Sequence, residues 1–149
     1  MDRLPHPLTI ASKKLICGLA VFGAMQLCMP AAADTGSPRM DFLLYCSGCH
    51  HPSGEGKPPN VPTLHDELGR MMQVEEMRSY LLRVPGAADS PLSDAALAAV
   101  TNWILQEFNG NTLPDDFKPL TTEEVERARQ QTLANPVAYR IQFWKDYEF

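Results

Sequence analysis

Cys46 and Cys49 stand three positions apart and a histidine follows directly, in the order Cys46-Ser47-Gly48-Cys49-His50. Two thiols at that spacing reach the two vinyl-derived carbons on one edge of a porphyrin, and the histidine beside the second thiol then sits under the iron. C-x-x-C-H is the attachment pattern of c-type haem. The imidazole of His50 would bind iron through one ring nitrogen. Its other nitrogen must donate to a fixed acceptor, which sets the ring's orientation and basicity. Other chemistries use paired cysteines. An oxidising compartment allows a Cys46–Cys49 disulfide. A thioredoxin-like redox pair needs a βαβ setting, which the pattern of the chain does not offer. A zinc site needs two more ligands, and only His51 and His65 remain for it.

The context of the motif favours haem. Arg3, Lys13 and Lys14 give the chain a positive start. Leu15 to Met29 form an apolar run broken only by Gly18, Gly23 and Gln26, and Pro30 and Ala31-Ala32-Ala33 follow. This is the layout of a secretory signal peptide over residues 1–33, cleaved after Ala33. The run is short for a membrane span, and an uncleaved anchor is the competing reading. Cleavage removes Cys17 and Cys28, so the mature chain keeps only Cys46 and Cys49. Taking Arg3, Lys13 and Lys14 from the 13 basic residues and Asp2 from the 18 acidic ones leaves 10 against 17, a net charge of −7. Such a surface is repelled by nucleic-acid phosphates and anionic lipid heads, and suits a basic protein partner. No stable membrane insertion is expected after cleavage.

The elements that must position the motif read as helices. Met40, Phe42, Leu43, Leu44 and Tyr45 suggest a short helix running into Cys46, capped by Ser37 or Asp41. Pro52, Gly54, Gly56, Pro58, Pro59 and Pro62 make residues 51–62 a constrained loop. Val74, Met77 and Leu81 recur on one helical face, and Pro85-Gly86 stops that helix. Ala87 to Leu92 is expected to be a loop. Ser93 is a good N-cap for a helix with the stripe Leu97, Val100, Ile104 and Phe108, which Asn109-Gly110-Asn111 ends. Thr121-Thr122-Glu123-Glu124 has the form of a capping box, and Asn135-Pro136 that of a new cap with proline at the first helical position. Val137, Ile141 and Trp144 share one face of the last helix, and the aromatic tail is expected to pack back on the domain. No stretch reads as a strand, so the fold class is all-α.

From Met40 to Phe108 the sequence resembles the class I c-type cytochromes. Beyond the haem motif, Val61-Pro62-Thr63-Leu64-His65-Asp66-Glu67-Leu68-Gly69-Arg70 looks like that family's proximal loop. The resemblance implies one covalently bound haem c. It implies that the Pro62 carbonyl accepts from the His50 imidazole, that Leu64 packs on the haem, and that Arg70 bonds a haem propionate. Residues 37–110 would then form the cytochrome domain, with residues 77–84 as its distal-side helix. Ser93 to Phe108 would cross the helix before the motif, with Trp103 and Tyr45 near the crossing. Residues 111–149 are a linker and a helical C-terminal extension that a minimal cytochrome does not need.

The distal side departs from the family. The usual sixth ligand is a methionine in the loop here occupied by Pro85 to Leu92, which holds no methionine, histidine or lysine. The segment between Arg70 and Val74 is also shorter than in the longer members. Met72 could reach the haem from just before the distal helix, and its neighbour Met71 is the equal alternative. Met77 lies on an apolar stripe, where core packing is the plain explanation. A five-coordinate iron is the remaining option. Thioether ligation gives a high potential and an electron carrier, whereas an open position would bind NO, CO or O₂. The expectation is a periplasmic carrier that moves single electrons from a dehydrogenase to another cytochrome or an oxidase. A gas-binding haem protein and a cytochrome subunit of a larger redox enzyme are the alternatives. No catalytic constellation is visible.

Overall fold

A computed structural model describes residues 34–58 and 61–144. The proposed signal peptide, Tyr147 and Phe149 lie outside these residues. Among the described residues the regular elements are eight helices and a single antiparallel bridge between Lys57 and Val61. The all-α expectation holds, and no described helix is long and apolar enough to cross a membrane.

Helix α1, Pro38–Tyr45, starts at a proline, where the missing N–H costs nothing. Ser37 occupies its N-cap position but the hydroxyl makes no capping bond. Asp41 is no cap either: it is buried inside the helix and accepts from the Thr35 N–H at 2.9 Å. Phe42 has no accessible surface and lies against Trp103 and Phe108, with ring centroids 5.2 and 5.6 Å away. These three rings are the crossing of α1 with α6, Asp94–Asn109. Phe42, a residue the sequence pattern did not single out for this place, sits at its centre, with Trp103 beside it as expected and Tyr45 packed on the same core.

Ser93 caps α6 as expected, accepting from the Ala96 N–H at 3.1 Å. Asp34 in turn accepts from the Ser93 N–H at 2.9 Å and its hydroxyl at 2.5 Å. Val100 and Leu105 fix the inner face of α6, with 1% and 0% exposure. The helix ends without a left-handed glycine, since Gly110 has φ −53°. Its last carbonyl, on Asn109, is instead taken by the N–H groups of Thr112 and Leu113.

Helices α3, Glu67–Met71, and α4, Glu75–Arg83, follow the proline-rich loop. Pro85 does end α4 but opens a further turn, α5, Pro85–Ala88, so part of the expected loop is helical. Proline with φ preset for a helix serves as a first residue as readily as a stop.

The C-terminal extension joins this core. The Thr121 capping box is present with both of its bonds, opening α7, Thr122–Arg129. Val125 and Ala128 bury α7 in the core. Arg129 donates to the carbonyls of Ser90 and Leu92 and to the Asp94 carboxylate, at 2.8 to 3.1 Å. Arg78 of α4 meets Glu124 through two nitrogens at 2.6 and 3.0 Å. That guanidinium holds the Glu124 carboxyl below the usual range. Glu124→Gln keeps the capping-box pattern and removes the ion pair. It is expected to cost up to about 1 kcal/mol at neutral pH, since the pair is partly exposed. A depressed pKa contributes stability above the unfolded-state value and loses it as pH falls through the folded-state value. Chemical denaturation across acid pH therefore checks the variant, which should lose less stability on acidification than the parent.

Helix α8, Pro136–Phe143, is capped by Asn135, whose side chain accepts from the Ala138 N–H at 3.0 Å. Its inner face differs from the expected one. Trp144 is buried as expected, but Val137 and Ile141 are 49% and 47% exposed and Arg140 is buried in their stead. Arg140 enters because Glu67 pairs with it, and Trp144 Nε1 donates to the same carboxylate at 2.6 Å. A charge is buried only where a partner offsets its desolvation. Tyr139 stacks on Tyr80 with centroids 6.1 Å apart and lies under the Arg83 guanidinium. The aromatic tail thus packs back, through Tyr139 and Trp144 rather than Val137 and Ile141.

Candidate haem site

The cysteines and the histidine share one helical turn. Cys46 is the last cap of α1 and the first of α2, Ser47–His50, and the N–H groups of Cys49 and His50 both return to the Cys46 carbonyl. Ser47 Oγ donates to the Leu43 carbonyl at 2.8 Å, tying the two helices together. Cys46 and Cys49 are both free thiols, one partly buried and one exposed. Burial first, then the Asp41 carboxylate and Cys49, push the Cys46 thiol up to about 11. A redox dithiol needs the opposite, a thiolate stabilised near neutral pH. Among the described residues no three or more His, Cys, Asp or Glu side chains gather into a group that could hold a metal ion.

His50 has what an axial ligand needs. Its Nδ1 lies 3.1 Å from the Pro62 carbonyl oxygen. A carbonyl can only accept, so Nδ1 carries the proton and Nε2 keeps its lone pair. Burial pulls the imidazole below its ordinary pKa, against the opposing effect of the Pro62 bond, so the neutral ring is favoured.

The proximal loop is built to hold Pro62 there. The Gly56 N–H donates to the His50 carbonyl at 3.0 Å. Gly56 has φ +68°, and a Cβ on it would lie 2.4 Å from the Pro62 oxygen, so only glycine lets that carbonyl pass. Gly54 N–H donates to His51, and the Gly54 carbonyl accepts from Leu64 at 2.8 Å. His51 itself is strained, at φ 61° and ψ 156°, a region L-residues avoid. His65 is engaged elsewhere: its Nε2 donates to the Ser53 carbonyl at 2.6 Å and its ring packs on Phe108.

Leu64 is buried in the core and Arg70 is exposed. Met71 and Met77 have no accessible surface, and Met72 is 9% exposed. Two residues to which sequence reasoning gave no such part join distant segments: Asn109, which bonds the backbone of Leu64 and Gly69, and Glu67, which anchors α8 to the start of α3. Their partners lie 40 or more residues away, and no local pattern announces them.

The residues present fit a covalently held haem. Two free thiols are set on one turn, with a neutral imidazole oriented by a backbone acceptor and apolar core on the adjoining side. An all-α domain built around this turn defines a c-type haem protein. No protein-family profile matches the chain. It is 30% identical over 139 aligned positions to a cytochrome c-552 of Thermus thermophilus, with 81% of this chain and 89% of that protein covered. A second cytochrome c-552 from Thermus thermophilus is 30% identical over 106 positions, covering 59% of this chain and 81% of its own. The chain belongs to the c-type monohaem cytochromes, binds one haem c and is an electron carrier. Of its 149 residues, 81% is about 121, so about 18 of the first match's 139 positions have no residue here. The same 121 residues exceed the length of residues 1–110, so the match also enters the extension.

Proposed function

We propose that this protein is an exported, periplasmic carrier that takes single electrons from a dehydrogenase and delivers them to another cytochrome or an oxidase. The observation that carries the reading is the His50–Pro62 bond, which orients a neutral imidazole beside two thiols poised for thioether links. When bound, the haem supplies the one-electron couple. Cys46 and Cys49 hold it to the chain and His50 ligates from the proximal side. Pro62 fixes the imidazole, Leu64 excludes water, and Arg70, exposed in the last turn of α3, neutralises a propionate. Residues 1–33 direct export and are removed, leaving the cytochrome domain over residues 37–110 and the extension over residues 111–149.

Met72 takes the sixth position. Of Met71, Met72 and Met77 it alone keeps accessible surface, 9% against 0%, although it too packs in the apolar core and would have to turn out of it. A second reading has its own support: the 85–92 loop lacks a donor. In that reading the iron is five-coordinate and binds NO, CO or O₂.

Partners dock around the haem edge through a small interface that releases quickly. The mature charge of −7, derived from the sequence above, favours a basic donor or acceptor. Stopped-flow mixing of the reduced protein with a basic redox protein tests this. The second-order rate is expected to fall several-fold as ionic strength rises, and a rate indifferent to salt would sink the steering argument.

A further inference from the structure

Asn109 ends α6 with 1% of its surface exposed. Its side-chain amide uses both polar atoms. Oδ1 accepts from the Gly69 N–H at 3.1 Å, and Nδ2 donates to the Leu64 carbonyl at 2.8 Å and the Ile104 carbonyl at 3.3 Å. One residue earlier, the Phe108 carbonyl accepts from the Asp66 N–H at 3.2 Å. The end of α6 therefore grips residues 64–69 at three points. That segment begins two residues after Pro62 and ends one residue before Arg70. Gly69 permits the grip: a Cβ there would lie 2.2 Å from Thr112 Oγ1.

Terminating a helix does not require a buried amide. An apolar side chain in its place would leave the Gly69 N–H and the Leu64 carbonyl unpaired. The bonds that Asn109 makes run instead toward the haem motif. Leu64, held by its carbonyl, donates its N–H to Gly54, and Gly54 donates to the carbonyl of His51, the residue after the axial histidine. Buried networks whose members are all satisfied rigidify what they connect.

We infer that Asn109 is the positioning residue of the proximal imidazole. It holds residues 62–64 so that the Pro62 carbonyl stays on His50 Nδ1. The inference rests on the reading of His50 as the axial ligand and Pro62 as its acceptor.

The test compares holoprotein Asn109→Ala with Thr101→Val, a control in the same helix. Thr101 is also buried, and its hydroxyl donates to Leu97 one turn back, within α6. Two quantities are read: solvent exchange of the His50 Nδ1 proton by NMR, and the reduction potential. Asn109→Ala is expected to speed that exchange about tenfold, as local opening of the loop becomes more frequent. The potential should rise, because a less basic imidazole stabilises ferric iron less. Thr101→Val should change neither. If Asn109→Ala does not accumulate folded, Asn109→Asp keeps the acceptor for Gly69 and loses the donor to Leu64, with the same expectation. Equal loss of thermal stability in the two variants, with exchange and potential at parental values, overturns the inference. An unprotected Nδ1 proton in the parent protein instead overturns the Pro62 assignment beneath it.

Discussion

Replacing both Cys46 and Cys49 by alanine is expected to abolish haem staining of the protein on a denaturing gel. Only covalent attachment survives denaturation, and after removal of residues 1–33 no other thiol is left to supply it. The single variants should differ from each other. Cys49 is exposed, so Cys49→Ala loses one thioether and little packing. Cys46 is partly buried against the core beside α1, so Cys46→Ala loses packing as well. Both singles should stain less than the parent, with Cys46→Ala accumulating less protein. Haem staining that persists in the double variant would move the attachment site away from this motif.

The second large effect concerns the distal face. Met72→Ala is expected to turn a low-spin, CO-insensitive ferrous spectrum into a high-spin one that shifts when CO is added. Met71→Ala is expected to leave the spectrum alone and to cost about 2 to 5 kcal/mol of stability, the usual range for truncating a fully buried methionine. The two substitutions thus separate ligation from packing at adjacent positions. A parent protein that binds CO without any substitution would remove Met72 from the iron. It would select the five-coordinate reading, which the donor-free loop from Pro85 to Leu92 already accommodates.

Features that depend on neighbours in sequence were legible before any coordinates. The C-x-x-C-H turn, the Ser93 cap, the Thr121–Glu124 capping box and the Asn135-Pro136 start all involve partners within four residues. Their physics is local, and so is their signature. The inner face of α8 departs from its apolar pattern for the converse reason. Apolar spacing favours Val137 and Ile141, but burying Arg140 becomes acceptable once Glu67, 73 residues earlier, supplies the countercharge. Sequence periodicity cannot see a partner at that distance. The short helix α5 was hidden because proline and glycine mark a stop and a start with the same letters. Asn109 looked like punctuation at a helix end; its bonds to Leu64 and Gly69 span 45 and 40 residues.

The reach of the extension also sets an order of events. A chain made from its N-terminus exposes the Cys46–His50 turn well before Arg140 and Trp144 exist. Until they arrive, Glu67 has no guanidinium or indole to hold, Ser90 and Leu92 lack Arg129, and α3 and α4 are tied down on one side only. Through that interval α3 is held from the cytochrome-domain side alone, by the Asn109 bonds to Leu64 and Gly69. The extension therefore completes the packing of α3 and α4 last, so the haem domain acquires its final rigidity only when α7 and α8 are in place.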